Sequence, residues 1–220
     1  MALQPTLVLP RLMLVTDRHR MRPTFEIALK QALEAGTRFI QLREKDLGEA
    51  ELQNLAVLAL ALCRDYDAIM LVNGPPEIAQ QVGAAGTHWP ESQLGSGDFT
   101  PTQYPKLLHG ASVHSPSSAV AAEARGMGYL VRGSVFPTGS HPNSAPVGVE
   151  GLVAVTIAAS LPIYAIGGIT PDRVQACLAA GAHGIAVIGA VWDADDIGAA
   201  VRELLRSIAA FAPPSARTQD

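Results

Sequence analysis

Cysteine is scarce in this chain of 220 residues, which contains only two. Cys63 and Cys177 lie in apolar periodic segments, and neither has a CxxC or CxxH partner nearby. Isolated cysteines in such segments are usually small buried hydrophobic residues. We therefore expect neither a disulfide nor a cysteine-bound metal.

An excess of positive charge is also missing. The chain has 16 Lys and Arg against 20 Asp and Glu, which gives a formal charge of -4, and its basic residues form no stripe. Proteins that bind nucleic acids need such a stripe to neutralise phosphodiesters. The composition therefore argues against a nucleic-acid partner and favours a small-molecule ligand.

The chain lacks export and membrane signals. Its first 17 residues are apolar but contain two prolines, no basic leader and no small-residue cleavage site. No later apolar run is long enough to span a bilayer. We expect a protein with no membrane partner and a cytoplasmic location.

What the chain does contain is a regular alternation of two patterns. Segments with apolar residues at helical spacing separate short β-branched runs, and several of these helices end at a glycine. The capping glycines are Gly36, Gly126 and Gly181. The strand-like runs cover residues 12–16, 39–42, 68–72, 86–89, 110–113, 129–133, 162–166 and 184–188.

Eight apolar strands alternating with helices predict an α/β protein, a closed TIM (β/α)8 barrel, with an open doubly wound sheet as the alternative. We expect a single barrel domain over residues 1–211 and a flexible C-terminal tail over 212–220. Residues 90–104 are rich in turn formers, so the helix after the fourth strand should be short or displaced. In such barrels the chemistry lies at the carboxyl ends of the strands.

Polar residues follow the second and third strands. Arg43 and Lys45 would point the same way along an extended backbone, which suits an anionic substrate. The alternative is a solvated helix start in which Glu44 and Asp46 are their partners. Asn73 is either a ligand-binding group or the residue that begins a turn.

The fourth, fifth and sixth strands supply imidazoles and hydroxyls. His88 lies beside Trp89 at the end of the fourth strand, and Ser112 and His114 come at alternate positions on and just after the fifth. A lone histidine is more often a packing residue, but His114 stands where a barrel exposes functional groups. The loop after the sixth strand adds the candidates Ser134, Thr138, Ser140 and His141.

Glycines end the last two strands. Gly167 and Gly168 follow the seventh strand, and Gly189 follows the eighth. Backbone without side chains lets N–H groups approach an anion, and this end of a barrel is a recurrent phosphate site. We predict phosphate binding there, against the alternative of tight turns alone.

Six motifs together resemble the thiamine phosphate synthase and TenI superfamily, in the same order and from residue 12 to about 205. They are FIQLREK, LVNGPPEIA, GASVHS, GSVFPTGSH, YAIGGITPDR and GAHGIAVIGAV. The synthase joins a hydroxymethylpyrimidine pyrophosphate to a thiazole phosphate. The resemblance implies a homodimer. It assigns pyrophosphate contacts to Arg43, Lys45 and Ser112, matches Thr138 and Ser140 to two loop threonines, and places Gly167, Gly168, Ile188 and Gly189 around the thiazole phosphate.

The chain departs from the synthase pattern at three positions. Two carboxylates that hold Mg²⁺ in that family correspond to Gly74 and Gln93, and a loop lysine corresponds to His141. Mg²⁺ binds through carboxylate oxygens, so we expect no protein metal site unless Glu91 or Asp98 substitutes.

The Asn73–Gly74 pair and residues 96–101 instead resemble the TenI branch, whose thiazole tautomerases move a proton and need an acid or base but no metal. Their proposed histidine base corresponds to Ser134, which leaves His141 and His114 as substitutes. These resemblances predict a TenI-like isomerase of a phosphorylated thiazole that needs no cofactor, with the use of Mg²⁺ left open. The alternatives are a thiamine phosphate synthase and a non-catalytic protein that binds or senses thiazole or thiamine phosphates.

Overall fold

The computed structural model of the chain describes residues 8–94, 101–139 and 145–212. Within these residues, parallel strands close into a barrel in the order β1 to β8, with β1 paired to β8. The predicted TIM barrel is therefore confirmed, and the open doubly wound sheet is wrong. The strands are β1 Leu12–Val15, β2 Phe39–Leu42, β3 Ile69–Val72, β4 Gly86–Trp89, β5 Leu108–Val113, β6 Tyr129–Arg132, β7 Ile163–Ile166 and β8 Gly184–Val187.

Helices separate the strands along the described chain. They are α1 Phe25–Glu34, α2 Glu49–Asp65, α3 Pro76–Val82, α4 Glu91–Leu94, α5 Pro116–Ala124, α6 Gly148–Ala158, α7 Val174–Ala179, α8 Gly189–Trp192 and α9 Ile197–Ala209. Short 3₁₀ turns occupy Arg18–Arg20, Pro101–Gln103 and Pro171–Arg173. The helix after β4 has four residues, as the turn formers in that part of the sequence indicated.

The glycines expected to end helices do so in the left-handed region. Gly36, Gly126 and Gly181 have φ angles of 112°, 82° and 90°. β5 begins earlier than the sequence pattern suggested, because Leu108 and His109 already pair with Gly86 and Thr87 of β4.

Side chains that alternate along the strands form two apolar layers. The outer layer packs the strands against the helices and contains both cysteines, which are buried free thiols. Burial raises the pKa of Cys63 to about 12 and that of Cys177 to about 11, which agrees with their expected role as inert hydrophobic residues. No helix among the described residues is long and apolar enough to cross a membrane.

The inner layer fills the barrel and contains three aromatic rings. Phe39 lies 5.9 Å from Tyr129 and 5.6 Å from Tyr164 between ring centroids, and the two tyrosines are 5.9 Å apart. The rings meet edge-on or tilted, which is the favourable geometry for aromatic pairs. This cluster closes the barrel below the polar groups at its carboxyl end.

Candidate active site

Arg43 follows β2 directly and is held by its backbone. Its N–H donates to Thr16 Oγ1 at 2.9 Å, and that hydroxyl donates to Glu44 Oε1 at 2.7 Å. Burial lowers the pKa of the Arg43 guanidinium, whereas the charges of Asp17 and Glu44 raise it. The side chain is therefore a half-buried cation at the mouth of the barrel.

Glu44 is a structural carboxylate. Its side chain is 1% exposed and accepts hydrogen bonds from the Arg18 backbone N–H at 3.2 Å and from Arg18 Nη1 at 3.1 Å. Asp46 also pairs with Arg18 and with His19. The two acids thus hold the chain after β1, which differs from the solvated helix start that the sequence allowed as an alternative.

Lys45 is exposed and lies in the field of Arg43. The positive charge of Arg43 is the main reason that the pKa of Lys45 is lowered, and burial adds to it. The two neighbouring positive charges repel each other, and an anionic ligand bound beside them would offset this repulsion. That Arg43 and Lys45 contact an anionic substrate, as their spacing suggested, stays a prediction.

Three polar groups are hydrogen-bonded in series through the inside of the barrel. Tyr129 Oη lies 2.8 Å from His88 Nδ1, and His88 Nε2 lies 2.9 Å from Ser112 Oγ. Burial, followed by the charge of Arg43, lowers the pKa of His88 to about 3, so the ring is neutral at pH 7. Ser112 is only partly buried, and at this residue the series reaches the mouth.

Asn73 and Gly74 follow β3 and form hydrogen bonds with residues of β4. The amide Nδ2 of Asn73 donates to the His88 carbonyl at 3.2 Å, and Thr87 Oγ1 donates to the Gly74 carbonyl at 2.8 Å. A Cβ atom added to Gly74 would lie 3.0 Å from Cδ2 of Leu52. A small residue at position 74 therefore also suits the local packing.

His114 lies beside a carboxylate at the edge of the mouth. Its side chain is 66% exposed, and its Nε2 is 3.6 Å from Glu91 Oε2. That carboxylate oxygen is buried and accepts no hydrogen bond from the described residues. The buried Arg132 also lies in the field of Glu91, which raises the Arg132 pKa against the larger, lowering effect of burial.

The glycines after β7 allow a close approach of the loop after β6. Gly167 and Gly168 have φ angles of 99° and 63°, and the Phe136 N–H donates to the Gly167 carbonyl at 3.0 Å. A Cβ atom on Gly168 would lie 2.3 Å from the Pro137 carbonyl oxygen, and one on Gly167 would lie 2.7 Å from Ser134 Cα. Loop packing by itself requires glycine here, and phosphate binding by these residues stays a prediction.

Ile188 and Gly189 begin α8, whose first N–H groups have no partner within the helix. Arg20 Nη1 lies 3.2 Å from the position that a Cβ atom of Gly189 would occupy. The same guanidinium donates to Asp193 at 2.6 Å and to Asp17 at 3.1 Å. Arg20 is a cation at the predicted phosphate end that sequence reasoning missed, although its place in a basic run just after β1 was a signal.

Two of the predicted loop residues, Ser140 and His141, lie outside the described residues, and so does Asp98. Thr138 is described and partly buried, and Ser134 packs against Gly167. The structure therefore brings together Arg43, Lys45, Asn73 and Ser112, while His114 lies at the rim with Glu91.

Comparisons with known proteins identify the family. The model of the family described as thiamine monophosphate synthase matches residues 12–191. The chain belongs to this family. A thiamine-phosphate synthase of Moorella thermoacetica is 41% identical over 83% of this chain and 87% of that protein, and one of Pyrococcus abyssi is 38% identical over 90% and 94%. The solved structure of a thiamine phosphate pyrophosphorylase from Pyrococcus furiosus has a TM-score of 0.79 and 34% identity over 90% of this chain and 95% of that one.

These relatives overturn the expected TenI-like isomerase. Proteins 38% and 41% identical over most of the chain are named as synthases of this family, and the comparisons give no support for the TenI branch. The prediction was wrong because it gave decisive weight to the departures at Gly74, Gln93 and His141 and to the local likeness of residues 73–74 and 96–101 to the TenI branch. Mg²⁺ in phosphoryl sites is often held mainly by substrate phosphates, so two missing side chains do not decide the reaction.

The described residues do not fit a Mg²⁺ ion held by a set of protein carboxylates. They contain no group of three or more His, Cys, Asp or Glu that could hold a metal. Glu44, Asp46 and Asp193 are already paired with arginines, and Glu91 faces His114. Arg43 and Lys45 are two neighbouring cations at the mouth among the residues that the structure describes.

Proposed function

We propose that the chain is a thiamine-phosphate synthase, which joins hydroxymethylpyrimidine pyrophosphate to a thiazole phosphate. The observation that carries the proposal is the identity of 38–41% with proteins of that name over more than four fifths of both chains. The two neighbouring cations at the mouth, Arg43 and Lys45, support it, because the reaction releases a highly charged pyrophosphate.

The chemistry separates charge within the bound substrate. The bond between the pyrimidine methylene and pyrophosphate breaks, its electron pair leaves with pyrophosphate, and the thiazole nitrogen forms the new bond to the methylene. Arg43 and Lys45 stabilise the negative charge that develops on the leaving group. Because Arg43 is half-buried, its interaction with the anion is stronger than that of an exposed arginine.

The second substrate is also an anion. Gly167, Gly168, Ile188 and Gly189 are proposed to surround its phosphate, with Thr138 and Ser140 as further substrate contacts. Arg20 lies beside Gly189 at the same end, where it is ion-paired with Asp17 and Asp193. The proton-transfer roles considered for Ser134, His114 and His141 belonged to the isomerase and are not needed here.

The test is product formation by the purified chain. Incubation with both substrates and Mg²⁺ should yield thiamine phosphate, measured as fluorescent thiochrome phosphate after oxidation, and one pyrophosphate per product. Replacing Arg43 or Lys45 by Met should lower kcat/KM by at least roughly tenfold, since each removes a charged contact.

Matched controls are available on the exposed surface. Arg125→Met and Lys106→Met remove one positive charge each, after α5 and before β5, and should retain wild-type activity. A chain that binds both substrates but releases no pyrophosphate would contradict the proposal. The homodimer that the resemblance implies is a separate prediction, which light scattering of the purified protein tests.

A further inference from the structure

Tyr129, His88 and Ser112 are hydrogen-bonded in series and are here called the interior polar chain. None of the three carries a charge at pH 7. His88 and Tyr129 are buried inside the barrel, and Ser112 alone reaches the mouth. Polar groups buried in a protein are almost always hydrogen-bonded. When several are bonded in series, the donor at one contact determines the donor at the next. The direction of donation therefore decides what Ser112 offers to a ligand.

His88 is neutral, which limits the possibilities to two. Burial and the charge of Arg43 both lower its pKa, so the ring does not carry a second proton. A neutral imidazole has one N–H and one lone pair. One of its two contacts, with Tyr129 or with Ser112, is therefore donated and the other is accepted.

The surroundings of Tyr129 indicate which of the two arrangements is present. The phenol is fully buried, and burial raises its pKa, so it stays protonated and its proton needs an acceptor inside the barrel. His88 Nδ1, 2.8 Å from Tyr129 Oη, is an acceptor at hydrogen-bond distance. The Tyr129 proton therefore points to His88 Nδ1, which leaves the imidazole proton on Nε2 for Ser112 Oγ, 2.9 Å away.

We propose that His88 is a positioning residue that accepts from Tyr129 and donates to Ser112, so that the Ser112 hydroxyl donates its own proton to the pyrophosphate. The ligand role rests on the proposed function, whereas the proton arrangement does not. In the opposite tautomer Ser112 would donate to His88 and present only lone pairs to the mouth. Lone pairs repel a phosphate oxygen, so that arrangement would weaken binding next to Arg43 and Lys45.

The imidazole proton can be located directly in the ligand-free protein. Long-range ¹H–¹⁵N correlation spectra of ¹⁵N-histidine-labelled wild-type protein at pH 7 distinguish the two tautomers. The His88 signals are assigned from their loss in His88→Gln and their shift in Ser112→Ala. The expected form carries the proton on Nε2. A proton on Nδ1 overturns the proposal, whatever the activity of the protein.

Substitutions test whether His88 acts through Ser112. Ser112→Ala and His88→Leu should each lower kcat/KM roughly 10- to 100-fold, the effect of losing one hydrogen bond to a charged group. His88→Leu should add less than about threefold in the Ser112→Ala background, because the two residues then act as one unit. His88→Gln, whose amide N–H can replace Nε2–H, should recover most of the activity. Additive losses, or no recovery in His88→Gln, overturn the proposal.

A second buried histidine provides the control. His109 lies on β5 near Ser112, is as deeply buried as His88 and bonds through Nε2 to the Tyr104 carbonyl, but it is not part of the interior polar chain. His109→Gln should keep the wild-type kcat/KM. If it lowers kcat/KM as much as His88→Leu does, the buried histidines serve folding alone, and the proposal is overturned.

Failure of the proposed function gives a different result. If the wild-type protein forms no thiamine phosphate, the synthase assignment fails, but the tautomer measurement still decides the proton arrangement. Calorimetric titration with inorganic pyrophosphate then tests the ligand role. Affinity should fall roughly 10-fold or more in Ser112→Ala and should be kept in His88→Gln. Equal affinities of wild type and Ser112→Ala overturn the donor role of Ser112.

Discussion

At the scale of single residues, the side chains exposed at strand ends could be predicted and those buried beneath them could not. Arg43, Lys45 and Ser112 stand where apolar runs end, so the barrel rule selects them. Glu44 was judged from its neighbours in sequence, but its partners Thr16 and Arg18 lie 28 and 26 residues away. Long-range partners of a buried acid leave no local pattern.

Glu44 should therefore matter for stability. Glu44→Gln removes the charge that Arg18 and Thr16 surround, and it should lower the free energy of unfolding by about 2 kcal/mol, as for a buried hydrogen bond to a charged group. Urea denaturation measures this. Glu49→Gln, at an exposed site in the first turn of α2, should change stability by less than about 0.5 kcal/mol. Equal effects at the two sites would contradict the structural role.

His88 makes a prediction about pH. Its pKa is about 3 in the folded protein against an ordinary value of 6.5, so below pH 6.5 the unfolded chain binds a proton that the folded chain does not. The stability associated with His88 is thus complete above pH 6.5 and is lost as the pH falls toward 3. Between pH 7 and 5 the wild type should lose about 2 kcal/mol more unfolding free energy than His88→Gln. Urea denaturation at both pH values tests this, and identical losses would show that His88 is accessible to protons.

At the scale of elements, helix and strand order follow from periodicity, but the contact between the β6 and β7 ends does not. The glycines after β7 were interpreted as bare backbone for an anion. In the structure they also accommodate the loop that carries Ser134 and Phe136. Nothing in a one-dimensional pattern tells whether a glycine leaves space for a ligand or for another part of the chain.

Gly168→Ala separates these effects when it is compared with Gly126→Ala. Both glycines have positive φ, so each substitution costs about 1 kcal/mol from the backbone. A Cβ atom at Gly126 meets only ordinary contacts at 3.9 Å, whereas one at Gly168 meets the Pro137 oxygen at 2.3 Å. Gly168→Ala should therefore be less stable in urea than Gly126→Ala and should raise KM for the thiazole phosphate. If the two variants are equally stable and the KM is unchanged, the loop after β6 moves to accommodate the added methyl group, and the expected close packing is contradicted.

At the scale of the whole molecule, the closed barrel could be predicted because buried parallel strands and their helices have different periods over the entire chain. The reaction could not be predicted in the same way. Substitutions at Gly74 and Gln93 were weighted above a motif order shared over nearly the whole chain, and the relatives showed that this weighting was wrong.

The aromatic cluster inside the barrel should dominate global stability. Phe39→Ala removes a fully buried ring between Tyr129 and Tyr164 and should cost about 3–5 kcal/mol. Phe211→Ala removes a partly exposed ring that contacts Arg11 and should cost about 1 kcal/mol. Chemical denaturation compares the two, and a smaller loss for Phe39→Ala would contradict this description of the core.

The central claim is that the chain makes thiamine phosphate at the carboxyl end of its barrel. The most direct measurement is the yield of thiamine phosphate and pyrophosphate from hydroxymethylpyrimidine pyrophosphate and thiazole phosphate, in wild type, Arg43→Met and Arg125→Met. We predict equal amounts of both products in wild type and Arg125→Met, and a loss of at least roughly tenfold in Arg43→Met. No product from the folded wild-type protein, or full activity without Arg43, would contradict the claim.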